Sequence, residues 1–249
     1  MSPYLAEFIG TAILVIFGNG VVANVVLNRT KGSGGGWIVI AAGWGLAVFV
    51  GVFCSAPFSG GHLNPAVTVA MVAAGKLAGG QVAGYLLAQM LGGVLGGNLV
   101  FLFYREHFKA TDNADLKLAS FCTAPNIRRL PQAFFCETLG TFLLVLPVFL
   151  MTDPTVKIPS AAGAVAEIPV GLGTLGALPV ALLVFGIGLS LGGTTGYAIN
   201  PARDLGPRIA HALLPVPGKR DSDWNYAWVP VLGPLAGGLL AAMVNAWLR

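Results

Sequence analysis

Long apolar runs separated by short polar or glycine-rich breaks fill the chain from end to end. Six of these runs are long enough to cross a hydrocarbon layer of roughly 30 Å, which takes about 20 helical residues each. They fall at Pro3 to Leu27, Trp37 to Ala56, Gly80 to Tyr104, Pro131 to Thr152, Thr174 to Gly192 and Tyr226 to Leu248. The only ordinarily charged side chains inside them are Glu7 and Glu137. Two further stretches, the first of them apolar, are too short to span. Each opens on the same tripeptide, Asn64-Pro65-Ala66 in one case and Asn200-Pro201-Ala202 in the other. Asn caps a helix well, and Pro suits the first helical position because its missing N–H would be unpaired there anyway, so each tripeptide predicts a helix start. The first such helix should end near Ala74, a length of roughly 16 Å at about 1.5 Å per residue, or half a bilayer.

The order of features repeats. Ala6-Glu7-Phe8-Ile9-Gly10-Thr11 resembles Cys136-Glu137-Thr138-Leu139-Gly140-Thr141, and each half holds a span with an early Glu, a second span, an Asn-Pro-Ala segment and a third span. The repeats cover about 3–104 and 131–248, joined by the polar connection 105–130. Three spans per half is an odd number, so the second half enters the membrane from the opposite side. The two half-helices would then meet tip to tip near the midplane and act as a seventh, broken span. Irregular backbone at that depth is tolerated only where it is buried in protein or lines a wet cavity. The approach segments Ser59-Gly60-Gly61-His62-Leu63 and Gly192-Gly193-Thr194-Thr195-Gly196-Tyr197-Ala198-Ile199 are read as such backbone, with carbonyls facing a conduit.

Composition agrees with this reading. Of 249 residues 55% are hydrophobic and 10% charged, against about 25% charged in soluble domains, and the mean hydropathy is +0.78. The first run has no basic leader and no small-residue cleavage site before Asn28, so it reads as a retained span. A net charge of +4 scattered over loops gives no reason to invoke nucleic acid. Cys54, Cys122 and Cys136 lack metal-ligand spacing, so no metal or other cofactor is expected. The glycine pairs at 92–93, 96–97 and 237–238 read as close-packing positions of the third and sixth spans. No nucleophile with a base and an orienting partner is present, so the sequence does not read as an enzyme.

The duplicated Asn-Pro-Ala, the glycine-bearing loop before each copy, the matching glutamates and Arg203 after the second copy resemble the aquaporin superfamily over the whole chain. Asp204, in Asn-Pro-Ala-Arg-Asp-Leu-Gly-Pro-Arg, makes the chain similar to the aquaglyceroporin, or glycerol-facilitator, branch. The resemblance implies an all-α membrane protein with six transmembrane helices, two re-entrant half-helices and an inverted repeat in one channel domain. It also implies passive conduction of small neutral solutes such as glycerol or dihydroxyacetone, and of water, without protons or ions. A homotetramer in the plasma membrane with cytoplasmic termini is implied as well. Charge alone says otherwise about orientation. The first, third and fifth connections hold most of the Lys and Arg, which by the positive-inside rule puts both termini outside.

Trp44, Gly188 and Arg203 match the positions of the family's aromatic and arginine constriction. Tyr197 replaces the Phe usual in glycerol facilitators, and its hydroxyl would either narrow the opening or point away. Arg203 offers five donors to a solute hydroxyl, while Trp44 and Tyr197 pack on its carbon side. Asn64 and Asn200 would each hold a half-helix and direct an amide N–H into the lumen. Two helix N-termini, each equivalent to roughly +0.5 charge, would repel cations. Glu7 and Glu137 are read as struts for loop N–H groups in preference to a proton relay. Gly60, Gly61, His62, Leu63, Gly196, Ala198 and Ile199 are expected to line the pore with backbone, and Asp204 to support Arg203. His107 and His211 fall in no recognisable constellation. An alternating-access carrier, which also uses broken helices, is the rival reading. An intramembrane hydrolase would need paired Asp, or Ser and His, that the spans lack. The connection from Asp153 to Gly173 is longer than the resemblance leads one to expect.

Overall fold

The computed structural model describes residues 1–159 and 165–249. Its helices, in chain order, are α1 (Pro3–Val26), α2 (Trp37–Ser59), α3 (Pro65–Ala73), α4 (Val82–Phe103), α5 (Arg105–Ala110), α6 (Ala114–Ala119), α7 (Leu130–Leu150), α8 (Leu178–Leu191), α9 (Pro201–Leu213), α10 (Trp224–Ala227) and α11 (Val229–Trp247). The six spanning helices are α1, α2, α4, α7, α8 and α11, three of them preceded by a 3-10 or short helical turn. The half-helices are α3 and α9.

Helix ends moved where turn chemistry overrode the hydropathy pattern. α2 runs past Pro57, because proline removes one donor but keeps its carbonyl, and the turn closes when Gly60 N–H reaches Ala56 O at 3.0 Å. α3 has 9 residues, about 14 Å long. It stops where left-handed Gly75 (φ 70°) lets Lys76 N donate back to Met71 O at 2.8 Å, a glycine stop signal. The connection 105–130 holds α5 and α6.

One feature lies outside the helical plan. Thr155–Pro159 (β1) pairs antiparallel with Val165–Pro169 (β2), with Val156 opposite Ile168 and Lys157 opposite Glu167. Alternating β-branched residues favour strands, and Lys157 meets Glu167 at 3.3 Å. Residues 160–164 of this long connection lie outside the described residues.

The halves interlock through their short helices. α1 packs on α2 and α4, and α7 packs on α11, whereas α3 of the first half docks against α11 and α9 of the second half docks against α4. The docking points are glycines. A β-carbon on Gly238 would lie 2.8 Å from Ala66 O, and one on Gly93 would collide with Ala202 O. The last residue of each Asn-Pro-Ala thus rests on a glycine of a spanning helix in the opposite half, where no side chain can stand between the backbones.

Candidate functional site

Asn64 and Asn200 cap α3 and α9 from extended backbone, at φ −155° and −156°. Asn64 Oδ1 accepts from Ala66 N at 2.9 Å. Asn200 Oδ1 accepts from Ala202 N at 3.0 Å and Arg203 N at 3.2 Å. Their amide nitrogens cross between the halves. Asn64 Nδ2 donates to Ile199 O and Asn200 Nδ2 donates to Leu63 O, both at 2.8 Å. A carboxamide has two N–H donors, so each Asn keeps one for whatever occupies the cavity that both line.

The carbonyls at these cross-links are held by an unusual backbone. Leu63 (φ 52°), Tyr197 (φ 37°) and Ile199 (φ 43°) are left-handed without being glycine, and for β-branched Ile199 this is a genuine outlier. Such residues cost about 1–3 kcal/mol each and persist only when surroundings over-determine them. The two buried glutamates do so. Glu7 accepts from Ser59 Oγ (2.6 Å), His62 N (2.9 Å), Leu63 N (2.7 Å) and Gln89 Nε2 (2.8 Å). Glu137 accepts from Thr195 Oγ1 (2.7 Å), Ala198 N (3.0 Å) and Ile199 N (2.8 Å). With the N–H groups of His62, Leu63, Ala198 and Ile199 turned back onto carboxylates, no protein donor reaches the carbonyls of Gly60, Gly61, His62, Gly196, Tyr197 or Ala198 among the described residues. His62 Nδ1 lies 3.1 Å from Thr68 Oγ1, which ties its ring down locally.

A cavity of about 220 Å³ runs past Gly60, Gly61, His62, Leu63, both Asn residues, Ala198 and Ile199 to Trp44, Tyr197 and Arg203. A second cavity of about 160 Å³, bounded by Trp37, Thr123, Asn126, Thr195 and Gly196, reaches the same three residues from the other side. Trp44, Tyr197 and Arg203 therefore form the wall between two hollows. Arg203 Cζ lies 4.0 Å from the Trp44 ring centroid. Gly188 is not part of either lining. It sits behind Tyr197, whose hydroxyl is buried against α8 and has no hydrogen-bond partner among the described residues. The hydroxyl thus points away from the opening.

Asp204 does not neutralise Arg203. Its Oδ1 accepts from Arg208 Nε (2.9 Å) and Nη2 (2.8 Å), and its Oδ2 accepts from Thr123 N (2.7 Å) and Oγ1 (2.6 Å). Arg208 spends its other N–H groups on the carbonyls of Thr123, Ser222 and Asp223. The pair is internally satisfied, and Arg203 has no carboxylate partner among the described residues.

The comparisons decide the lineage. The family model described as "Major intrinsic protein" matches residues 1–245. A probable glycerol uptake facilitator protein of Thermotoga maritima is 50% identical over 248 residues, covering 100% of both chains. The glycerol uptake facilitator protein of Streptococcus pneumoniae strain R6 is 49% identical over 98% of both. The chain belongs to the major intrinsic protein family. Among solved structures, the aquaglyceroporin of Plasmodium falciparum is similar at 31% identity and a TM-score of 0.80, over 96% of this chain and 93% of that one.

Within this member of the family, sequence reasoning missed the partners of the named residues. Thr195 and Ser59 stood inside the quoted approach segments, and Arg208 lies four residues after Asp204, the spacing that pairs charges on one helix face. Gln89 and Thr123 gave no local signal, because only the packed fold brings them to Glu7 and Asp204. His211, placed in no constellation by its sequence, is buried with Nδ1 2.8 Å from Ser222 Oγ and its ring edge-on to Phe121 at 5.1 Å. His107 Nδ1 lies 3.1 Å from Asn28 O. Beside α9, Asp223 is bound through both carboxylate oxygens by Arg128 at 2.6 and 2.8 Å, and this pairing holds its carboxyl below the usual aspartate range.

Proposed function

We propose that the protein is a passive channel for glycerol and related small uncharged molecules, and for water, and that it excludes protons and ions. The observation that carries this reading is Arg203, a buried guanidinium with no acidic partner among the described residues, beside the Trp44 face and on the wall between two cavities. A small polyol has a polar edge and a carbon edge. The guanidinium donates to the hydroxyls while Trp44 and Tyr197 take the carbon side, so passage needs no conformational change and the solute trades water for fixed donors and acceptors. The unpaired carbonyls of the approach segments accept from its hydroxyls along the remaining path. The relatives named as glycerol uptake facilitators agree with this choice of solute.

Cations meet three positive features, namely the Arg203 charge and the N-termini of α3 and α9. A water between Asn64 and Asn200 accepts from the spare N–H of each, turns its own hydrogens outward, and interrupts a proton wire. Glu7 and Glu137 are struts: Glu7 accepts from two loop N–H groups and from Ser59 and Gln89 on spanning helices, and Glu137 accepts from three donors of the second approach segment. Asp204 supports Arg203 by staying bound to Arg208. Residues 1–249 form one channel domain of two repeats, 3–104 and 131–248, with cytoplasmic termini in a plasma-membrane homotetramer, one pore per subunit.

Proteoliposome flux tests the reading. Glycerol entry driven by an imposed gradient should rise linearly with concentration and need no cation gradient. Saturation together with ion dependence would favour an alternating-access carrier instead.

A further inference from the structure

Trp37 opens α2 at the edge of the second cavity. Its indole N–H donates to Gly188 O at 2.8 Å, and its ring stands edge-on to Tyr197, centroids 5.8 Å apart at 71°. The phenol of Tyr197 lies in a recess of α8. A β-carbon on Gly188 would sit 2.8 Å from Tyr197 Oη and 2.9 Å from Cζ. One on Gly192, a helical turn later, would sit 2.5 Å from Tyr197 Cδ1 and 2.6 Å from Trp37 Cζ2. Nearby Gly186 and Gly193 have nothing within 4 Å of a β-carbon, so glycine is demanded by space only at 188 and 192. Gly192 has an ordinary φ of −71°, which makes the requirement one of volume and not of backbone freedom.

The tip of the phenol has no hydrogen-bond partner among the described residues. Packing alone therefore fixes where it stands, and the neighbours that supply the packing are Trp37 and the two glycines. Trp44, across the opening, is seated the same way, since a β-carbon on Gly18 would enter its indole.

We propose that Trp37, Gly188 and Gly192 are positioning residues that hold the Tyr197 phenol back against α8 and thereby set the largest solute the pore admits. The proposal rests on the wall of Trp44, Tyr197 and Arg203 being the narrow point of the channel. Gly188→Ala forces the phenol tip off α8 and into the opening. Trp37→Leu removes the brace on the side of the second cavity and lets the ring tip toward that cavity.

The test is stopped-flow light scattering on proteoliposomes, with rates for water, glycerol, erythritol and ribitol normalised to protein per vesicle. In Gly188→Ala the glycerol-to-water ratio falls about tenfold, as expected for a contact of overpacking strength. In Trp37→Leu the erythritol-to-glycerol ratio rises, with Trp37→Phe, which loses the hydrogen bond but keeps a ring, between it and wild type. The double variant Gly188→Ala with Tyr197→Leu matches Tyr197→Leu alone, because no phenol remains to be displaced. A purely structural role would scale every solute equally and leave the ratios untouched. Unchanged ratios in Gly188→Ala and in the Trp37 variants, or simple additivity in the double variant, overturn the proposal. A wild-type protein that passes no polyol overturns the channel reading itself, a distinct result.

Discussion

Replacing Glu137 by Gln keeps length and shape but takes away the charge and one acceptor atom. The carboxylate serves three donors, two of them the backbone N–H groups of Ala198 and Ile199. In its best orientation the amide keeps Thr195 and Ala198 on its oxygen and turns its NH2 toward Ile199 N–H, which is orphaned. An orphaned buried donor costs about 1–3 kcal/mol, and each remaining bond falls from charged to neutral strength, about 1 kcal/mol apiece. The sum is about 3–5 kcal/mol, and the damage spreads across the protein. Ile199, released from its left-handed conformation, withdraws the carbonyl that accepts from Asn64 Nδ2, so a change in the second half unseats the cap of the first. Thermal unfolding in detergent, followed by tryptophan fluorescence, should show the variant melting about 10 °C below wild type. Its glycerol flux per folded protein should fall too. A proton-relay role makes the opposite forecast, because an isosteric amide leaves the fold intact. Melting within about 2 °C of wild type, with normal glycerol flux, would refute the strut.

Tyr197→Phe should leave the order of solute rates unchanged in stopped-flow measurements, since the hydroxyl faces Gly188, and should not lower thermal stability, because a buried unpartnered hydroxyl is removed. An altered order would show that the hydroxyl reaches the lumen. Arg203→Val removes the unpaired charge at the wall, so vesicles should admit larger polyols and show a cation leak above that of wild-type vesicles, read with ion-sensitive dyes. Asp223 lies outside the spans and its carboxyl is held low by Arg128. The stability this pair contributes is present above the ordinary aspartate range and is lost as pH falls through about 4 and below. Melting curves of Arg128→Gln and wild type should therefore differ near neutrality and converge in acid, and a constant difference would contradict the pairing.

The fold was legible because the membrane makes helices obligatory and writes each as a long apolar run. The two half-helices were legible because Asn followed by Pro caps a helix in a way few other dipeptides do. What stayed hidden depends on contacts between distant segments. Asp204 stands directly after Arg203 and was expected to support it, yet it turns to Arg208 and Thr123, because the third connection folds over α9 and presents Thr123 N–H. The direction of the Tyr197 hydroxyl depended on two glycines one turn apart on another helix. Gly188 was expected to face the opening, but an absent side chain is equally a place for a neighbour's ring. The hairpin of β1 and β2 was missed because a span-by-span reading leaves a long connection without structure, although Thr155-Val156-Lys157-Ile158 alternates in the manner of a strand.

The most direct test loads one set of vesicles for two readouts, light scattering for glycerol and an entrapped pH dye for protons. The account predicts glycerol entry far above protein-free vesicles, while an imposed pH gradient decays no faster than through lipid alone. Glycerol entry at the lipid background, or a proton leak that rises in step with it, would contradict the central claim.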